Sequence, residues 1–368
     1  MRTAYKVRAY PDVEQAALLR RTFGCVRLVW NKTLAERQQR YTVDRKSTSY
    51  KETDAVLSEW KKTEELAFLS EVSSVPLQQT LRHQHSAFVA FFQGIAKYPR
   101  FKNRHGRQSA HFTRSAFRIK DGGLWLAKTT APVRVVWSWQ GVDLAALDPT
   151  MVIVSREPDG RWFVTFAVDQ PNPQPLPVAG ESVGVDLGLK DFAVLSTGEK
   201  IANPRHMARH ERGLRRQQRR LARMKKGSAN RARQRVKVAR AHARVRDARR
   251  DFLHKTSTEL VRRFDTIAVE DLAVKNMVGN RRLAKAISET PWGEFRSMLE
   301  YKAQTAGRRV AVISRWYPSS KTCSACGHLL AALSLRTRHW TCPACGARHD
   351  RDINAAKNIL LAGGLPES

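Results

Sequence analysis

The sequence contains no long apolar run. No stretch approaches the roughly 18 residues that cross a bilayer, and the opening Met1-Arg2-Thr3-Ala4-Tyr5-Lys6 has no apolar signal core. Both absences predict a soluble, intracellular chain. Acids are scarce: 33 Asp and Glu stand against 66 Lys and Arg, a net charge of +33. A surface this positive repels itself unless a polyanion neutralises it. Nucleic acid is the leading candidate and an anionic membrane the weaker one. Cysteine is scarce too. Four of the five fall in two tight pairs near the C-terminus, and Cys25 stands alone. That pattern excludes a secreted disulfide framework and suits a metal site in a reducing compartment. Cys25, in the helical run Gly24 to Trp30, reads as a buried thiol.

At 368 residues and 42% hydrophobic, the chain can bury two or three cores. Residues 3–10 alternate like a strand that Pro11 stops. Asp12 then caps an amphipathic helix reaching about residue 40. Residues 41–70 are polar and mixed, and a second helix follows Pro76. The run from Lys97 to Arg107 interleaves bases with aromatics and has no acid, a pattern suited to stacking and phosphate contact. Residues 115–169 read as β structure, with turns at Asp121-Gly122-Gly123 and Pro158-Asp159-Gly160. The expectation is an N-terminal β domain over 1–170 with a helical insertion over about 12–115. A Pro-rich linker, 171–180, ends it.

The second part, 181–368, opens on the apolar strand Val183-Gly184-Val185-Asp186, with two short strands after it. From Arg205 to Arg250 there are 19 Lys and Arg and two acids, Glu211 and Asp247. Apolar rows at heptad spacing (Met207, Leu214, Leu221; Val238, Val245, Phe252) flank a break at Gly227-Ser228-Ala229-Asn230. This predicts a basic helical hairpin within 203–264, with a thin apolar seam and broad arginine faces. The opposite sign is too rare for salt-bridge lacing, so nucleic-acid contact is the favoured reading. A helix from Phe252, a strand Thr266 to Glu270, a helix after the Thr290 cap and Pro291, and a strand Arg309 to Ser314 complete a mixed α/β pattern.

Cys323, Cys326, Cys342 and Cys345 form C-x2-C-x15-C-x2-C, the spacing of a zinc ribbon, here over 318–348. Gly327 and Gly346 follow the pairs, where such knuckles need positive φ. Four sulfurs leave no open coordination position, so one zinc ion would be structural. A redox role for the pairs is the weaker alternative. His349 lies close enough to be mistaken for a ligand, and a packing role is expected for it.

Three acids sit where chemistry would want them. Asp186 lies in an apolar strand between Gly184 and Gly188, which leave room for a metal and a phosphate. Glu270 ends a strand, and Asp352 begins a helix with small residues on one side. Singly, each could be a cap or an ion-pair partner. Jointly they could hold two Mg²⁺ ions about 4 Å apart, the arrangement that cleaves phosphodiesters.

These stretches resemble a known family. The likeness covers nearly all of 180–360 through Gly184-Val185-Asp186-Leu187-Gly188, Val269-Glu270-Asp271-Leu272, Lys275-Asn276-Met277, Ser319-Ser320-Lys321-Thr322-Cys323 and His349-Asp350-Arg351-Asp352-Ile353-Asn354-Ala355-Ala356. The chain resembles the TnpB proteins of bacterial insertion sequences, relatives of type V CRISPR nucleases. That resemblance implies an RNase H-like RuvC nuclease domain carrying the hairpin and the zinc ribbon, preceded by a β-barrel-like domain. It implies Asp186, Glu270 and Asp352 as catalytic Mg²⁺ ligands, and sets aside their neighbours Asp271 and Asp350. It further implies a guide RNA from the transposon end, a double-stranded DNA target beside a short flanking motif, and a bacterial, nucleoid-associated cytoplasmic location. A nuclease-dead RNA-guided repressor and a strand-transferring transposase are the competing readings.

Overall fold

The computed structural model describes residues 2–139, 141–171, 174–279, 284–334 and 336–364. It divides into two compact units, Met1–Pro171 and Asn172–Ser368. Asn172 and Pro173 of the expected linker lie outside the described residues.

In the first unit, β1 (Arg2–Tyr10) leads into α1 (Val13–Asp44). Asp12 caps α1 through a reciprocal box: its carboxylate accepts from the Gln15 N–H at 2.8 Å, and the Gln15 side chain accepts from the Asp12 N–H at 3.1 Å. Then come α2 (Tyr50–Trp60) and α3 (Ser74–Phe92). Helix α2 occupies the stretch read as merely polar. Its signal was the Ser49-x-x-Glu52 box, which the structure forms, with Leu57 and Trp60 as its buried anchors. Strands β2 (Gln108–Thr113), β3 (Phe117–Lys120), β4 (Gly123–Leu126), β5 (Arg134–Val136), β6 (Met151–Arg156) and β7 (Trp162–Asp169) follow. The main sheet runs β2-β6-β7-β1-β5, antiparallel throughout. A bridge from Leu124 to Val133 hooks the β3–β4 hairpin to the β5 edge, extending the set in barrel-like fashion. Leu19, Phe23, Val26 and Val29 of α1 share one core with Val7, Phe112, Val154, Val164 and Phe166 of the sheet. Cys25 is buried in the same core, as expected of an inert thiol.

The second unit holds β8 (Ser182–Leu187), β9 (Asp191–Leu195), β10 (Lys200–Ala202), α4 (His206–Ala222), α5 (Ala229–Arg263), β11 (Thr266–Glu270), α6 (Val274–Met277), α7 (Ala284–Glu289), α8 (Trp292–Ala306), β12 (Arg309–Ile313), β13 (His339–Thr341), β14 (Arg348–Asp350) and α9 (Arg351–Ala362). Its sheet runs β10-β9-β8-β11-β12, with an antiparallel meander on one side and parallel β11 and β12 on the other. That is the RNase H-like order. Two details differ from the sequence reading. The helix expected to begin at Phe252 is the continuation of α5, which runs unbroken for 35 residues. Its first part packs along α4, and its last part buries Leu253, Leu260 and Val261 against the sheet, so one helix serves two environments. Before α8, Thr290 is not the cap. Its hydroxyl donates to the Ala286 carbonyl of α7, and Pro291 stands at the N-cap position. Of the proposed heptad rows, Leu214 and Val245 are buried, and the Met207 side chain lies outside the described residues. Gln234 also enters the seam, buried, and donates to the Gln217 carbonyl at 3.1 Å.

Alternation divides the sheet's two faces. Val183, Val185, Ile267 and Val269 face α5 and α8, and pack on Leu253, Phe264, Trp292 and Phe295. Gly184 and Ala268, paired in register, fall on the other face. There α9 lies directly on β8. A Cβ on Gly184 would overlap the Ala356 carbonyl oxygen and lie 2.8 Å from the Leu360 nitrogen. Only glycine admits this helix.

Two predictions follow from the packing. Gly184→Ala lowers unit stability by about 3 kcal/mol or more through overpacking. Gly213→Ala, where an added Cβ meets nothing within 4 Å in helix α4, is neutral or stabilising by up to about 1 kcal/mol. Urea midpoints of the two variants check both. The second concerns His83 and His111, stacked edge-on at 4.4 Å in the first unit. Burial lowers both, His111 to about 4, with His83 and Lys102 adding repulsion. Both are therefore neutral in the fold and gain a proton on unfolding below about 6.5. Stability is complete above that pH and falls as pH drops toward 4, by up to about 3 kcal/mol for His111. His111→Gln flattens that limb of the pH–stability curve.

Candidate active site and zinc ribbon

Asp186 stands two residues after Gly184 on β8, on the same face. Glu270 stands two residues after Ala268 on the parallel neighbour β11. Asp352 is in the first turn of α9, the helix that Gly184 admits. All three line one open cleft of about 1430 Å³, wider than the roughly 300–1,000 Å³ of small-molecule pockets. The cleft rim carries Lys190, Arg249, Lys285, Lys321, Arg338 and Arg351.

The carboxylates feel one another. Asp186 is pushed up to about 7, chiefly by burial, then by Asp352 and Glu270, with Arg351 and Arg338 opposing. Burial also raises Glu270. Asp352 receives the Arg338 guanidinium at 3.3 Å. Such a cluster gains from a cation, and hard divalent ions take oxygen ligands of this kind. The two neighbouring acids have other employment. Asp350 caps α9, accepting from the Asp352 and Ile353 N–H groups, and pairs with Lys200 at 2.6 Å. Asp271 is held by Arg296 at 2.7 Å and by Arg315. Asp191 at the start of β9 also lines the cleft. Its sequence gave no hint, because only the β8–β9 pairing brings it there.

The four cysteine sulfurs lie within 4.8 Å of one another. The two knuckles are near copies. Gly327 N–H donates to the Cys323 carbonyl at 2.8 Å and Gly346 N–H to the Cys342 carbonyl at 2.9 Å, with φ of +77° and +74°. A set of four converging thiolates fits tetrahedral Zn²⁺ and forms a zinc ribbon closed by the β13–β14 hairpin. His349 stays outside the set of four. Its Nε2 is 3.0 Å from the Cys323 sulfur, and its ring lies on Trp340.

The ribbon is tied to α9 by residues that sequence reasoning passed over. Asn354 and Asn358 are each 1% exposed. Asn358 donates to the Ser319 and Thr322 carbonyls at 2.7 and 2.6 Å. Asn354 donates to Thr322 at 2.7 Å and accepts from the Ser324 N–H at 2.9 Å. These amides grip both sides of Cys323, from the helix that carries Asp352. Their i, i+4 spacing on a helix was the available signal.

Beyond the cleft, Arg212, Arg215, Arg216, Arg219, Arg220 and Arg223 line a groove along α4. Glu211 pairs there with Arg215 and with Lys285, at 2.8 Å for the lysine.

Cys342→Ser is expected to lose bound zinc and to lower the thermal midpoint by several degrees, since four-sulfur sites contribute folding energy directly. Asn358→Ala leaves the sulfurs in place but removes two buried hydrogen bonds, leaving the Thr322 and Ser319 carbonyls to Asn354 alone, the latter at 3.4 Å, at a cost of about 1–3 kcal/mol. Zinc content and calorimetry separate the two: zinc stays stoichiometric in Asn358→Ala and is lost in Cys342→Ser.

The chain is similar to known proteins over most of its length. Residues 165–281 match a family profile described as a probable transposase, OrfB of IS605 type. Residues 292–359 match a Cas12f1-like TNB domain, and residues 1–46 a helix-turn-helix domain. In this chain that last segment is strand β1 followed by the single long helix α1. A Streptomyces pristinaespiralis protein, named for RNA-guided DNA endonuclease activity, is 53% identical over 99% of this chain and 90% of its own length. The similarly named InsQ of Escherichia coli K12 is 28% identical over 98% and 92%. Among solved structures, Cas12f1 in a complex with sgRNA and target DNA shares the fold at a TM-score of 0.56 and 14% identity, covering 98% of both chains. With the IS605 OrfB profile matched and a 53% identical relative aligned nearly end to end, the chain belongs to the TnpB (OrfB) family.

Proposed function

We propose that this protein is an RNA-guided DNA endonuclease whose catalytic residues are Asp186, Glu270 and Asp352. The observation that carries the reading is the convergence of these three acids in one cleft of a chain bearing +33. In so basic a protein, a cluster of acids in which Asp186 is raised by burial and by its two acidic neighbours, despite Arg351 and Arg338, is costly, and a cation-dependent reaction on a polyanion accounts for it. Two Mg²⁺ ions bound there would supply an activated water and neutralise charge at the leaving oxygen. Asp186, Glu270 and Asp352 would hold them, and Lys321 and Arg351 on the rim would draw in the phosphate backbone. The zinc ion would remain structural.

Base pairing to a guide RNA from the transposon end would select the target, while the protein reads duplex geometry and a short flanking motif. The arginine groove of α4 suits the RNA backbone. The first unit, with its helical insertion, is assigned to the flanking motif. The 53% identical relative supports the same activity by its name. A bacterial cytoplasmic location on the nucleoid fits these partners. The intact acids weigh against a repressor that never cuts, and hydrolysed rather than joined product ends would exclude strand transfer.

The test begins with purification from cells carrying the native flanking DNA, and sequencing of the RNA that comes with the protein. One abundant species ending in element-flanking sequence is expected. With that RNA and Mg²⁺, matched duplex DNA is cut. Asp186→Ala lowers cleavage by orders of magnitude and binds the RNA as before. Heterogeneous RNA removed by salt, or wild-type cutting by Asp186→Ala, overturns the assignment.

A further inference from the structure

Trp316 has no place in the account so far. At 86% exposed, it is the most exposed aromatic side chain among the described residues. Large aromatic rings normally bury most of their surface, so a ring left in water calls for a partner. This ring does not sit on a loose segment. It lies in a tight turn directly after β12, where its N–H donates to the Ser314 hydroxyl at 3.3 Å and the Tyr317 N–H donates to the Ser314 carbonyl at 3.1 Å. On one side Arg315 is ion-paired to Asp271. On the other, the Ser319 carbonyl is gripped by Asn358 at 2.7 Å. The turn is clamped at both ends, and the ring projects.

Its position relates it to the acids. Ile313 pairs in register with Glu270, and Trp316 is three residues further on. Three residues span at most about 11 Å, and the strand spacing adds about 4.8 Å. The next residues, Tyr317 to Lys321, line the acidic cleft itself. Trp316 does not itself line the cleft, but it is the residue directly before the stretch that does, and that chain path keeps it within a few nucleotides' length of Glu270.

We infer that Trp316 is a stacking platform for an unpaired base of the DNA strand led into the acidic cleft. This rests on the nuclease reading above and adds to it a residue that orients the substrate. Cations on the rim, Lys190, Lys321 and Arg249 among them, attract phosphates without fixing where a base lies. An aromatic face fixes the base and accepts any of the four, because every base has a π-face. A paired base, already stacked in its helix, has no face to offer, so the platform selects single-stranded DNA. Positioning a flexible strand in this way raises the fraction of encounters with a phosphate at the carboxylates.

The experiment compares Trp316→Ala, Trp316→Leu and Trp316→Phe in the RNA-loaded protein. Stacking is read first, in an Asp186→Ala background, by quenching of 2-aminopurine in single-stranded DNA. Quenching is expected in the parent and in Trp316→Phe, and is lost in Trp316→Ala and Trp316→Leu. Cleavage is read second: Ala and Leu lower kcat/KM by about 5- to 100-fold, mostly in KM, and Phe restores most of it. Urea midpoints stay within error of the parent, because the ring buries little. Full quenching in Trp316→Ala, or rescue by Leu as complete as by Phe, overturns the platform. Quenching that depends on Trp316 in a protein that cuts no guide-matched DNA would sink the nuclease reading and leave the platform standing.

Discussion

One contact governs the second unit: the backbone of α9 lying on β8 at Gly184. Any side chain there would collide with the Ala356 carbonyl and the Leu360 nitrogen. Because the approach is so close, the first turn of α9 comes down beside the ends of β8 and β11, where Asp186 and Glu270 stand on the same face. Strand alternation makes this automatic. Gly184 and Ala268 provide the flat bed, and the next same-face residues are the two acids. The packing that buries the helix and the geometry that gathers the carboxylates are one feature.

The carboxylates are held together against their own repulsion. Asp186 feels burial first and its two acidic neighbours next, while Asp271 and Asp350, one or two positions from the other acids in sequence, are neutralised by arginine or lysine. The contrast separates acids that are neutralised by ion pairs from acids that repel one another in the cleft. It also gives sense to the chain's lopsided charge. A strongly positive protein concentrates a polyanion around a small negative pocket, and on the proposed reading divalent ions would reconcile the two.

The zinc ribbon belongs to this arrangement. Asn354 and Asn358 bind carbonyls on both sides of Cys323, so the first knuckle and the α9 helix hold each other. Buried amides of this kind are costly unless fully paired, and here each side-chain nitrogen has its acceptors. A metal-stiffened loop thus braces the helix that delivers Asp352, and the same loop carries Tyr317 to Lys321 along the cleft.

Much of this was legible in the sequence. The C-x2-C-x15-C-x2-C spacing is chemically specific, and the motif around Asp186, Glu270 and Asp352 named the acids before any fold was seen. Alternation found β1, β8 and β11, and Asp12 marked the start of α1, because periodicity and capping are local properties. Other features were not local. Helix α2 hid in a polar stretch because its Ser49-x-x-Glu52 box marks only where it starts, while the burial of Leu57 and Trp60 that holds it is tertiary. The break expected at Phe252 vanished because a helix passing from solvent to core changes composition without changing its hydrogen bonds. The sequence by itself determined the charge and picked out the four cysteines that converge and the three acids that the fold gathers in one cleft. Tertiary structure alone decided that Asp191 shares their cleft, that two asparagines clamp the ribbon, and that Trp316 is left exposed next to the residues lining that cleft. Each of these depends on how strands, helix α9 and its neighbouring loop pack against one another, a relation that no spacing along one strand or helix encodes.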